Sequence, residues 1–351
     1  MSIDDTDPTE EELLNRITTG LKRECDRRDI SLTPGDAIKI QKYVDLALEE
    51  FLEDDSDPPV TMSWFKFGRT TPMGGGGTTL AQPETTVSPG EQQSSLEDFL
   101  SMDAEDFEEF YRYGGYEPSL EHANDPLLSF LREYYLSHAP DRFRELYLVN
   151  VRLREALQQF RIAADPDSDQ QISTEEGEQR YRDVTRLTSQ MELLLSDDYV
   201  YYPVTAVVPQ YLRLIEKAFA GMASLGTDLA TYDRFTFALE LEEFYNDVAW
   251  SKIAHCISRE TAKGPGADSL KEESKNELRD FEEKFDTEVE NITNECIRVG
   301  LFPAPPDFPT RTDETSKTLE ELLRVATKPA DVDDVDTDQA MDNDLREGTD
   351  E

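Results

Sequence analysis

Asp165, Asp167, Asp169, Gln171, Ser173 and Glu176 place side-chain oxygens at alternate positions along one short acidic stretch and close it with a carboxylate. That is the chemistry of a hard cation: calcium takes about six to eight oxygens from a chain that wraps around it, with a bidentate carboxylate as the last ligand. Aliphatic Ile172 lies inside the stretch, and helices are expected on both sides. The same residues have a second account. Ser173 with Glu176 forms a capping box for the next helix, and acidic residues before a helix N-terminus are stabilised by its dipole. The high Asp content of the chain makes a chance match easier, which favours a solvated interhelical turn.

The spacing resembles the loop of EF-hand calcium proteins, with oxygen donors at the first, third, fifth, ninth and twelfth loop positions. Gln170 replaces the Gly of the sharp turn, and Gly177 stands where the exiting helix usually has an apolar residue. The resemblance implies a Ca2+ ligand set of Asp165, Asp167, Asp169, Gln171, Ser173 and Glu176. A second pair, Arg132 and His138, is similar to the Arg and His motif of HEPN-type helical ribonucleases, with Glu133 where that motif prefers Asn, Asp or His. It implies action on a scissile phosphate. The alternative is structural, with His138 capping a helix that Pro140 terminates.

Other chemistries fit less well. His255 and Cys256 are neighbours on different helix faces, so with Cys296 they make a poor zinc site. Ser119, Tyr135 and Lys252 stand three residues before the histidines, where a di-iron bundle needs Glu. Gly74 to Gly77 lack the following Lys and Ser or Thr of a phosphate loop. Glu240 and Glu243 pair on a helix, as carboxylates do throughout this chain.

The elements that would position these residues are helical. The sequence predicts an all-α, elongated multi-helix bundle. Thr9 and Glu12 form a capping box before Leu13, Leu14, Ile17, Leu21 and Cys25, and a second helix carries Tyr43, Val44, Ala47 and Leu48. Residues 1–54 are therefore expected as an N-terminal helical hairpin. Residues 55–94, rich in Pro, Gly and Thr, read as a flexible linker. Within it, Trp64, Phe65, Lys66, Phe67 and Arg69 alternate rings with positive charge, as a docking motif for a partner or as a segment pinned to the helical body by its rings.

Residues 95–327 form the expected bundle domain, and 328–351 an acidic tail expected to be disordered. In the bundle, Leu146, Asn150, Leu153, Leu157 and Phe160 mark a packed seam. Asn150 is its polar member and is expected to set register or find a local partner. Helices are expected at about Ser173 to Leu195, Val204 to Ala223, Asp228 to Ile257 and Ser269 to Ile297, with a short one near Leu319, Leu322, Leu323 and Val325.

The charge is the strongest global signal. Asp and Glu number 77 against 35 Lys and Arg, a formal net charge of -42 on 351 residues. Arg exceeds Lys by 23 to 12, and no Lys falls between Phe67 and Glu216. Such self-repulsion opposes compact folding in dilute buffer, whereas molar salt shortens the Debye length to about 3 Å. The even spread of carboxylates resembles cytoplasmic proteins of extreme halophiles, which implies K+ and Na+ held without a specific site.

Three separated cysteines give no disulfide framework. Asp4, Asp5 and Asp7 do not begin a secretory leader, and no run reaches the roughly 18 apolar residues of a membrane span. A cytoplasmic chain is expected. The leading function is a non-enzymatic helical interaction, scaffold or adaptor protein, with unidentified protein partners and an open oligomeric state. A cation-responsive module comes second. A HEPN-like ribonuclease or acidic nucleic-acid mimic comes third, since direct nucleic-acid binding is opposed by the charge.

Overall fold

The computed structural model describes residues 9–32, 36–51, 58–71, 99–113, 120, 122–279 and 281–302. They fall within one unit, residues 1–305. The expected acidic tail and the helix near Leu319 lie outside the described residues.

The fold is all-α with one small hairpin of strands. Helix α1 (Glu10–Arg27) begins with the expected box: Thr9 Oγ1 accepts from the Glu12 N–H at 3.3 Å, and Glu12 Oε2 accepts from the Thr9 N–H at 3.0 Å. Its apolar stripe is buried. Helix α2 (Ala37–Phe51) follows, but α1 packs chiefly along α3 (Ala104–Tyr113). Gly20 permits that approach, because a Cβ there would sit 2.6 Å from Phe107 Cβ. Buried Glu24 ties the two helices together through Arg27, Arg28 and Arg112. Burial opposes its charge, yet the three guanidiniums outweigh burial and hold the carboxyl down at about 2.

Helices α4 (Leu127–His138) and α5 (Asp141–Ala164) are separated at Ala139, which is extended before Pro140. Leu146, Asn150, Leu153, Leu157 and Phe160 are all at most 2% exposed, so the seam read from the sequence is the core of α5. Each fully buried Leu or Phe there contributes about 1.5–3 kcal/mol. Asn150 finds its partner in Tyr245, whose hydroxyl donates to Asn150 Oδ1 at 3.0 Å.

Helices α6 (Thr174–Asp197) and α7 (Val208–Leu225) pack most extensively of all pairs. Gly177 faces α7, where an added Cβ would lie 2.7 Å from Ala223 Cα. The region expected as one helix from Asp228 to Ile257 comprises α8 (Tyr232–Phe244), a π turn (Tyr245–Ala249) and α9 (Trp250–Thr261). The region expected from Ser269 to Ile297 holds α10 (Ala267–Arg279) and α11 (Phe281–Arg298).

Residues 58–71, expected within a linker, are part of the core instead. Strands β1 (Ser63–Phe65) and β2 (Gly68–Thr70) pair antiparallel, with Trp64 opposite Arg69. Trp64 is 4% exposed and packs on Tyr134 and Tyr147. Helical side chains satisfy the hairpin backbone: Tyr147 Oη donates to Phe65 O and Trp250 Nε1 to Lys66 O, each at 2.6 Å. Buried rings and paired carbonyls offset an ordering cost that the average composition of 55–94 could not meet.

Candidate functional site

The residues singled out for chemistry are spread over separate places. In the acidic loop, Asp165 Oδ1 accepts from the Asp167 N–H at 2.9 Å, and the Asp167 carboxylate accepts from Tyr232 Oη at 3.2 Å. Ser173 Oγ accepts from the Glu176 N–H at 3.2 Å, and Glu176 Oε2 accepts from the Ser173 N–H at 2.8 Å. The carboxylate that would close a calcium loop is thus engaged in a helix cap, whose backbone donor lowers its pKa. Among the described residues, no group of three or more His, Cys, Asp or Glu is disposed to hold a metal.

Arg132 and His138 lie about 9 Å apart along α4 at 1.5 Å per residue and turn to different partners. Arg132 Nε lies 3.6 Å from Glu133, whereas His138 Nδ1 lies 3.2 Å from Glu49 and stacks on Tyr134. The His255 ring lies tilted against Phe65 with centroids 4.7 Å apart, and burial pushes its pKa down to about 4. Cys256 and Cys296 are buried thiols pushed up to about 12 by loss of solvent.

His138 leads into a buried ionic cluster. Lys42 and Asp45, both 0% exposed, pair at 3.1 Å on α2, and the Lys42 ammonium also donates to Arg69 O. Arg69 extends toward Glu49 at 3.5 Å and lies over Trp64. Burial pushes Asp45 up to about 6 against the pull of Lys42, and it lowers Lys42. Burial also opposes the Glu49 charge, but His138 and Arg69 outweigh it and keep that carboxyl below its usual value. Lys66 pairs with Asp247 on the π turn, and Arg154 lies over Phe67. The aromatic and basic side chains of Trp64, Lys66, Phe67 and Arg69 are therefore spent within the chain, locking the hairpin between α2, α4, α5 and the π turn.

An outward-facing set was not found by periodicity. Between α6 and α7 the chain turns through Tyr199–Tyr201 as a 3-10 helix and Tyr202–Thr205 as a single α turn. Val200 and Tyr201 are buried, while Tyr199 and Tyr202 are 76% and 81% exposed. Leu193, 67% exposed, lies on the end of α6 that feeds this turn.

The turn is held from three sides. Asp198 caps it by accepting from the Val200 N–H at 3.0 Å. Arg142 grips Asp198 with two bonds of 2.7 and 2.9 Å, reaches Glu260 on α9 at 3.0 Å, and lies over the Tyr199 ring. The Arg142 bond holds the Asp198 carboxyl below its ordinary pKa. The sequence signal was present as Tyr199, Val200, Tyr201 and Tyr202 between two aspartates and Pro203.

A family model described as Domain of unknown function (DUF8098) matches residues 2–107 and 77–328. The chain belongs to this family. No curated protein and no solved structure matches it. The two matched stretches of the family model together span every described helix, the ionic cluster and the Tyr199–Tyr202 turn. No helix of the described residues is long and apolar enough to cross a membrane.

Proposed function

We propose that the chain is a non-enzymatic helical interaction protein of a salt-rich cytoplasm and that it binds a protein partner through the Tyr199–Tyr202 turn. The observation that carries this is the exposure of two tyrosines, 76% and 81%, on a short turn held by Asp198 and Arg142. Exposed Tyr rings supply large contact area at little conformational cost, and such aromatics dominate interface energetics. A turn already fixed by Asp198, Arg142 and buried Tyr201 pays less of the ordering entropy of association. The partner it suits has an apolar cleft for the rings and a polar rim facing Arg142, Asp198 and Glu260.

A photo-crosslinking residue placed at Tyr202 tests the assignment, with the same residue at exposed Arg182 as a control. A discrete adduct with another polypeptide from position 202 and none from position 182 is expected. Equal labelling at both positions, or none at 202, refutes the assignment.

A further inference from the structure

Where α4, α5, the π turn and the hairpin meet, the fold buries donors without acceptors. Tyr135 and Asn150 are 0% exposed, yet Tyr135 Oη and Asn150 Nδ2 have no hydrogen-bond partner among the described residues. The Asn150 acceptor is already used, since Oδ1 takes the Tyr245 hydroxyl at 3.0 Å. Arg154 lies one turn further along the same face of α5, and two of its guanidinium nitrogens, Nε and Nη1, are buried and unpartnered too. Burial raises the pKa of the Tyr135 and Tyr245 hydroxyls, and the nearby Arg154 charge pulls both down. The Phe67 ring covers one face of the guanidinium, its centroid 4.9 Å from Cζ.

What this set lacks is negative charge. A guanidinium keeps its proton inside a protein, and a buried one needs a counter-charge as well as acceptors. The chain has 77 Asp and Glu, but the two whose fields reach Arg154 are committed elsewhere: Glu242 lies 2.9 Å from Arg161, and Asp247 pairs with Lys66. Arg154 forms no hydrogen bond or ion pair among the described residues. Water would meet the donors and leave the charge. A hydroxyl, an amide and a guanidinium on three side chains suit a monatomic anion, which accepts from any direction, better than a planar carboxylate. Arg154 is only part-buried, so the approach from solvent runs along its own side chain.

We infer that Arg154, Tyr135 and Asn150 bind a chloride ion, the guanidinium supplying the counter-charge while the hydroxyl of α4 and the amide of α5 donate to it. Bound there, the ion ties α4 to α5 beside Phe67 and makes the fold respond to the anion itself as well as to ionic strength. The site shares no residue with the Tyr199–Tyr202 surface.

Thermal midpoints of the full-length chain test it, with chloride replacing gluconate at constant molar K+ so that screening is fixed. R154M removes the charge, Y135F removes one hydroxyl and keeps the ring, and R152M removes a charge from an exposed neighbour on α5. The gap between the parent and R154M should widen by about 3 °C for each tenfold rise in chloride above the Kd. For Y135F, an affinity about tenfold weaker should widen the gap by up to about 3 °C once both sites fill. The gap to R152M should not change with the anion. Crystals of the parent grown in KBr should show an anomalous bromide peak within hydrogen-bond reach of Arg154 and Tyr135. Equal anion responses in the parent, R154M and Y135F overturn the inference, because bulk salt effects or ordered water then suffice. A bromide map with no peak at Arg154 also overturns it, and that readout needs no variant to fold.

Discussion

Replacing Lys42 by Met removes the ammonium that lies 3.1 Å from Asp45 while both side chains are sealed from solvent. A buried carboxylate left unpaired in this way costs about 3–5 kcal/mol, and the positive field of Arg69 places K42M near the low end, at ~3 kcal/mol. At roughly 2 °C per kcal/mol for a chain of this size, thermal unfolding should fall by about 6 °C. The penalty must depend on pH. Asp45 is already pushed up to about 6 from 3.8, so the folded state keeps a proton that the unfolded chain has released. Stability therefore falls as pH rises through that window, and without Lys42 the window extends higher. K42M should be most damaging near about pH 8 and much less so near about pH 5, where Asp45 is neutral in the fold. K42M/D45L removes both charges and should recover to within about 1–2 kcal/mol of the parent at either pH. Far-UV circular dichroism melts in a fixed molar KCl buffer measure all of this. A K42M loss that is equal at both pH values, or a double variant no more stable than K42M, refutes the reasoning.

Three further outcomes follow from the same structure. Cooperative thermal unfolding should sharpen and move upward as KCl rises from about 0.1 M to molar concentrations, because screening relieves the repulsion of 77 carboxylates while the buried Lys42–Asp45 pair is shielded from salt; a midpoint independent of KCl contradicts the high-salt account. G177A should cost about 1–3 kcal/mol in denaturant titration, since the added methyl meets Ala223 Cα at 2.7 Å and α6 must move away from α7. Calcium titration calorimetry in molar KCl should give the same trace for the parent and E176Q if the Asp165 to Glu176 loop is only a capped turn, whereas a saturable signal lost in E176Q establishes the cation-responsive alternative.

Local signals were readable wherever one element contains its own cause. The capping boxes at Thr9 and Ser173 and the α5 seam depend on residues three or four apart, and all are seen in the structure. The hairpin was hidden because its strands have three residues each, too few to show a period of two. Its stability also comes from Tyr147 and Trp250, far away in sequence. Pairing of α1 with α3 rests on Gly20 meeting Phe107, a contact no local pattern announces. The donor set of Tyr135, Asn150 and Arg154 is a tertiary product of two helix faces. Tyr199 and Tyr202 could have been suspected from the aromatic run before Pro203. Their exposure could not, because neighbouring Val200 and Tyr201 turn inward.

The central claim is that Tyr199 and Tyr202 are the contact rings of a binding surface. Quantitative affinity purification in molar KCl, comparing the parent chain with Y199S/Y202S at matched helicity and thermal midpoint, measures it most directly. The account predicts that the partner crosslinked at position 202 is lost from the variant; its undiminished recovery contradicts the account.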